Sequence, residues 1–304
     1  MPTIGPVVRA NVLSEFKTFV SLPMADPAQL LAAVGLSFAD IEDPQRYISL
    51  NTVAELFDLA AKETRDASFG LHYASAFPKG GSGLLGHLML TAPTVGEVLR
   101  VIEEYLELHA MPMRVSLEQH GGVHSLFLGY PPSLTAPQLQ YTGFLLAALV
   151  LRLRLGVGHS WCPFAVEFAH RVPDDLREYQ LYFGSRLSFD ARRYRFDVET
   201  ADLDKPMPKL MDGLYDTVRE LGDRVRSETR TRHDIVERTF LALSDHLADE
   251  QPFDLEAIAR HLEMPVRGLQ WRLEQAGTSS SGSWRGPAGS LPSTCCAIPI
   301  CRCR

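Results

Sequence analysis

The chain has 304 residues, of which 45% are hydrophobic and 9% aromatic, and it carries a formal net charge of -7. That length and composition accommodate two folded domains, and the acidic balance argues against a protein that coats polyanions nonspecifically while leaving room for a local DNA-reading surface. No run approaches the ~20 uninterrupted apolar residues of a membrane span, and the first residues, MPTIGPVVRANV, lack a charged segment followed by an apolar one, so a cytoplasmic location without membrane partners is expected.

In chain order, residues 9–70 read as helical. Val12, Phe16, Phe19 and Val20 make one apolar face. Asp26 is placed to cap a helix over 27–34 with Pro27 in its first turn and Gly35 as its stop. Ser49 is placed to cap 50–64, where Val53, Leu56, Phe57, Ala60 and Ala61 face inward, and a short helix follows over 69–76. The Gly-rich stretch 80–86, GGSGLLG, lacks the preceding strand and the Lys-Ser/Thr pair of a phosphate loop. It reads as a turn entering a helix over 84–90. Thr94 precedes a helix over 95–109, and Glu97 three residues on completes the pattern of a capping box.

Residues 113–119 and 123–130 alternate apolar and polar around Gly121-Gly122, the clearest hairpin in the chain. A helix over 137–156, apolar on most sides, is expected at the centre of its domain. A strand over 164–169, a helix over 174–183 and a strand over 193–198 complete an α+β domain covering 1–205. A helical linker over 206–232 opens at Pro206 and Pro208, with one charged helix at 210–227, and a second helix over 233–248 leads into the last folded segment. Residues 280–304 are rich in Ser, Gly, Pro and Cys, without apolar periodicity, and read as a disordered tail.

Few constellations carry chemistry. His120 and His124 have metal-ligand spacing, but they flank a hairpin turn rather than share a helix face. Cys295, Cys296, Cys301 and Cys303 do not have the spacing of a common zinc module. Cys162 is expected to be a small buried hydrophobe, and Asp174-Asp175 to be helix-start carboxylates. No nucleophile elbow or metal motif appears, so no enzyme, cofactor or metal is expected.

Residues 253–277, FDLEAIARHLEMPVRGLQWRLEQAG, read as two short helices with a tight break. Asp254 is placed to cap the first, whose stripe is Leu255, Ile258, Ala259 and Leu262, and Pro265 suits the first turn of the second, whose stripe is Leu269 and Leu273. This leaves Arg267, Gln270, Trp271 and Arg272 on the outer face, where Arg and Gln can bond base edges in a major groove. The same residue types also occur on ordinary solvated helices, and Asp254, Glu256, Glu263 and Glu274 offset the local basic charge.

The segment LEAIARHLEMPVRGLQWRLEQAGTS resembles the first helix-turn-helix of the AraC/XylS family of transcriptional regulators. Upstream, FGLHYASAFPKGGSGLLGHLMLTAPTVGEVL, FAHRVPD and YFGSRLSFDA are similar to that family's arabinose-binding-like N-terminal domain. The resemblance implies an α+β effector-sensing and dimerisation domain followed by an all-α helix-turn-helix domain, the first subdomain of which covers 233–279. It implies double-stranded DNA, a small effector and a second copy of the chain as partners. The family's contacting positions fall on Arg267, Gln270 and Trp271, with Trp where the family commonly has Arg. After Ser279 the resemblance stops, so the second helix-turn-helix is expected to be missing through truncation or a change of reading frame, with DNA binding weakened accordingly. The competing expectation is a ligand-binding, dimerising module without DNA binding of its own. No phosphate or carboxylate clamp is evident in the sequence, which favours an apolar effector.

Overall fold

The computed structural model describes residues 6–23, 25–248 and 254–275, and the chain divides into two compact units, one comprising Gly5–Gly222 and the other beginning at Asp223. The expectations for 280–304, including the four clustered cysteines, lie outside the described residues.

The first unit opens with strand β1 (Val7–Arg9), a 3-10 turn over Ala10–Leu13, and helices α1 (Phe16–Ser21), α2 (Pro27–Ala33) and α3 (Phe38–Ile41). Asp26 caps α2 by accepting from the Ala28 and Gln29 amides, and Pro27 occupies the first turn. Strand β2 (Tyr47–Ser49) leads into α4 (Leu50–Glu63), capped by the Ser49 hydroxyl, with Val53, Leu56, Phe57, Ala60 and Ala61 all buried. Helix α5 is Phe69–Ala76, as the pattern predicts. Phe57 meets Phe69 and Tyr73 edge-on at ring-centroid separations of 5.6 and 5.2 Å, and Phe144 joins the same cluster. Such pairs add ~0.5–1.5 kcal/mol each to the area they bury.

Helices α6 (Gly83–Thr91) and α7 (Val95–Tyr105) follow, and a 3-10 turn over Leu106–Leu108 ends α7 four residues before the expected stop. The Thr94 hydroxyl accepts from the Glu97 amide at 3.2 Å, but the other half of the expected capping box does not form. The Glu97 carboxylate is turned instead toward Tyr215 and Arg219. Strand β3 (Ala110–Met111) then pairs with β1, which also pairs with β2, giving a small antiparallel sheet the sequence pattern did not reveal. Strands of two or three residues carry too little alternation to be recognised.

The hairpin forms as expected from β4 (Arg114–His120) and β5 (Val123–Gly129). Helix α8 (Leu139–Val157), strand β6 (Ala165–Glu167), helix α9 (Arg177–Phe183) and strands β7 (Leu187–Ser188) and β8 (Tyr194–Glu199) complete a second, five-stranded sheet of order β4-β5-β8-β6-β7. Only β6 and β7 pair in parallel. Register places Val115 opposite Leu128 and Leu128 opposite Tyr194, and likewise Leu117, Leu126 and Phe196. Two apolar rows therefore run across one face of the sheet. Helix α8 is 19 residues long and apolar enough to cross a membrane by length and composition. Most of it is buried within this unit, where Gln140 bonds the Gly70 amide and the Ala67 carbonyl, each at 2.9 Å.

One helix, α10 (Leu214–Ala248), stands where two were expected over 210–227 and 233–248. No proline falls inside it, so nothing interrupts the helical backbone. In the second unit α11 (Leu255–His261) and α12 (Val266–Gln275) close on a core of Ala242, Ile258, Ala259, Leu262, Leu269 and Leu273. Asp254 caps α11 through the Ala257 amide at 2.7 Å.

Candidate functional site

The first unit encloses a cavity of about 90 Å³ between the face of the five-stranded sheet and helices α6, α7 and α8. The sheet supplies Val115, Leu126, Leu128 and Phe196, and the helices supply Leu85, Met89, Ile102 and Leu149, so the walls are mostly apolar. Three basic residues line it, Arg152, His109 and Arg195, the last paired with Glu167 at 2.9 Å. Arg152 on α8 is 6% exposed and His109, just after α7, is 3% exposed. The Arg152 guanidinium donates to the Met89 sulfur at 3.4 Å, a weak acceptor, while its Nε is buried without a partner. His109 Nδ1 is likewise buried and unpartnered. Burial pushes Arg152 down to about 10, which leaves it charged at neutral pH. Burial, aided by the nearby Arg9 and Arg152, pushes His109 down to about 4, which leaves it neutral.

The sequence showed no phosphate or carboxylate clamp; the structure places a buried cation, Arg152, in the wall of this cavity. Arg152 and Arg154 inside the apolar stretch 144–155 were the available signal in the sequence. Its meaning depends on the fold, because only packing decides whether such a residue reaches water.

A second cleft of about 260 Å³ shares Phe77, Ala148 and Arg152 with the first and is also lined by Lys79, Arg154 and His159. Among the described residues, no carboxylate lines either one. The Arg154 guanidinium is held by the Trp161 carbonyl at 2.8 Å and the Leu181 carbonyl at 2.8 Å, so it is a fixed charge at that cleft.

Helices α6 and α7 present a different face to the start of α10. Tyr215 donates to Glu97 at 2.6 Å, and Arg219 bridges Glu97 and Glu104, reaching the latter at 3.0 Å. Burial alone would raise the Glu97 carboxyl; hydrogen bonds from Tyr215, Arg100 and Arg219 outweigh it and hold the group below its ordinary value. Gly222 lies so close that a Cβ there would meet Leu88 of α6 and Tyr105 of α7, each at 3.1 Å.

On α12, Arg267, Trp271 and Arg272 are exposed and Gln270 is half-buried, while Leu269 and Leu273 are buried beneath them. Trp271 is 61% exposed, a large apolar surface left outside the core. The turn Leu262–Pro265 joins the two helices.

The other expected positions are ordinary. His120 pairs with Glu118 at 3.1 Å and His124 meets the Thr200 hydroxyl at 3.3 Å. Cys162 is half-buried rather than fully buried, with its sulfur 3.6 Å from Arg154 Nη2. Asp175 pairs with Arg177 at the start of α9, and of residues 80–86 the first three turn into α6 while 83–86 already belong to it. Among the described residues, no group of three or more His, Cys, Asp or Glu could hold a metal ion.

A family model described as the arabinose-binding domain of AraC transcription regulator, N-terminal, matches residues 25–207. An uncharacterized HTH-type transcriptional regulator of Mycobacterium bovis is 23% identical over 286 residues, covering 90% of this chain and 80% of that protein. The corresponding Mycobacterium tuberculosis regulator gives the same values. The crystal structure of the transcriptional regulator CdpR from Pseudomonas aeruginosa is similar at 18% identity with a TM-score of 0.45, covering 83% of this chain and 78% of that one.

Proposed function

The chain belongs to the family of transcription regulators that carry the AraC-type arabinose-binding domain, and from that premise we propose that it binds a small effector in the cavity beneath the five-stranded sheet and duplex DNA through α12. The observation that carries the DNA reading is the division of α12 into two faces. Leu269 and Leu273 hold it to its core, and Arg267, Trp271 and Arg272 are left to solvent. A helix anchored in this way can enter a major groove without disturbing its own packing. Arg267 and Gln270 suit paired bonds to guanine and adenine, Trp271 suits a thymine methyl or a sugar, and Arg272 suits a phosphate. Pairing of two copies through the first unit is part of the same proposal.

The test is selection from a random duplex pool with the full chain, followed by anisotropy titration of the enriched duplex at physiological salt. Arg267→Ala should cost ~1–3 kcal/mol on that duplex, and Arg272→Ala should lower the salt slope by about one. No enrichment, or unchanged binding by both variants, would leave a ligand-binding module without DNA activity.

A further inference from the structure

The geometry points to a carboxylate as the effector's head group: a small monocarboxylate whose apolar body fills the inner cavity and whose anionic end is gripped by Arg152, with His109 as a second polar contact. The inference rests on reading that cavity as the effector site.

Three observations carry it. Arg152 is a buried cation with an unpartnered Nε, and its guanidinium donates to the Met89 sulfur, a weak acceptor. Burying a charge without a counter-charge is costly. A ligand anion supplies what the protein omits, and the planar guanidinium matches a carboxylate's two oxygens. Second, no carboxylate among the described residues lines the cavity or the cleft that shares Arg152, whereas Lys79, Arg154 and His159 line the cleft. The field there favours an arriving anion. Third, His109 is neutral with an unpartnered Nδ1, so it can donate to a carboxylate oxygen or accept from a hydroxyl on the ligand without a second buried charge. The walls that remain are mostly apolar, from the sheet and from α6, α7 and α8.

Size narrows the class. At ~10–15 Å³ for each water-sized occupant, the cavity of about 90 Å³ holds a body the size of a benzene ring or a short alkyl chain. Benzoate and hexanoate are therefore the probes, with benzamide and hexanamide as neutral counterparts of the same shape.

Calorimetric titration of the full chain with these four compounds tests the inference. The acids should bind at least about tenfold more tightly than their amides, the ratio expected when a charge-assisted hydrogen bond replaces a neutral one. Arg152→Met should bring the ratio to within about twofold while retaining amide binding, and Arg152→Lys should keep part of the preference. If the methionine variant fails to fold, the wild-type ratio and the lysine variant still decide. Ala148→Phe, which fills the space shared with the cleft, should block all four. Equal binding of acids and amides, blocked by Ala148→Phe, would overturn the carboxylate assignment and leave the cavity as the effector site. Absence of binding at millimolar concentration, or binding indifferent to Ala148→Phe, would overturn the reading of the cavity itself.

Discussion

His109 and Arg152 share an apolar cavity, yet burial leaves one neutral and the other charged because their ordinary values lie on different sides of neutrality. His109 therefore records pH in the stability of the fold. Its folded value, about 4, lies below the ~6.5 of an unfolded histidine. The unfolded chain takes up the proton first, so the contribution is complete above about pH 6.5 and is lost as pH falls from there toward 4. His109→Leu should remove that loss. Urea titrations at pH 7.5 and 5.5 should show a stability difference about 1.4 kcal/mol smaller in the variant than in the wild type. His72 acts with the opposite sign. Burial lowers its value, but Asp66 at 2.8 Å and Glu178 at 3.2 Å raise it further. Its contribution is present below about pH 6.5 and fades as pH rises through the raised folded value. Comparing His109→Leu with wild type cancels that term, since both proteins retain His72.

Three helices end with one pattern of backbone bonds, and the residue at its tightest point differs among them. After α2 the Gly35 amide bonds the Ala32 carbonyl and the Leu36 amide bonds that of Leu31, with Gly35 at φ +75°. After α4 the same pair of bonds forms around Arg65 at φ +56°, and after α11 around Glu263 at φ +55°. This is the Schellman arrangement, in which glycine alone avoids a clash between its side chain and the backbone. Glu263 is exposed, so Glu263→Gly loses no packing and should stabilise the second unit by ~1 kcal/mol in guanidinium unfolding. The same local rules explain which elements were legible in the sequence. The Asp26 and Ser49 caps, α5 and the 114–129 hairpin depend on neighbours within a few residues, and the pattern of types reveals them. Strands β1, β2 and β3 do not: Val8 pairs with Ile48 and with Ala110, and such short segments become strands only when distant chain arrives. Glu97 was legible as a capping residue only because Tyr215 and Arg219, more than a hundred residues away, are invisible to local reasoning. The cavity was hidden for a related reason. Arg152 in an apolar helix could equally reach water, and only the closing of α6 and the sheet over it decides that it does not.

At the scale of the whole molecule, α6 and α7 serve two surfaces at once. Leu85, Met89 and Ile102 line the cavity, and Leu88, Glu97, Glu104 and Tyr105 meet the first turns of α10. At Gly222 there is little room, since a Cβ would lie 3.1 Å from both Leu88 and Tyr105. Under the proposed function, a ligand that shifts either helix would strain or relax the start of α10, and α10 continues to Ala248 and contributes Ala242 to the core carrying α12. Gly222→Val should separate these functions. Benzoate affinity should stay within about twofold of wild type, while the change in DNA affinity on adding benzoate, typically ~5–150-fold for such coupling, should fall to within about twofold. Anisotropy titrations with and without benzoate measure it. The shared helices also impose a symmetry that neither site displays alone. Around a closed thermodynamic cycle, whatever factor the small molecule applies to the grip on DNA, DNA must apply to the grip on the small molecule. An operator would then be an effector of the pocket, and a cell carrying more copies of that operator would alter the concentration of metabolite at which the regulator responds.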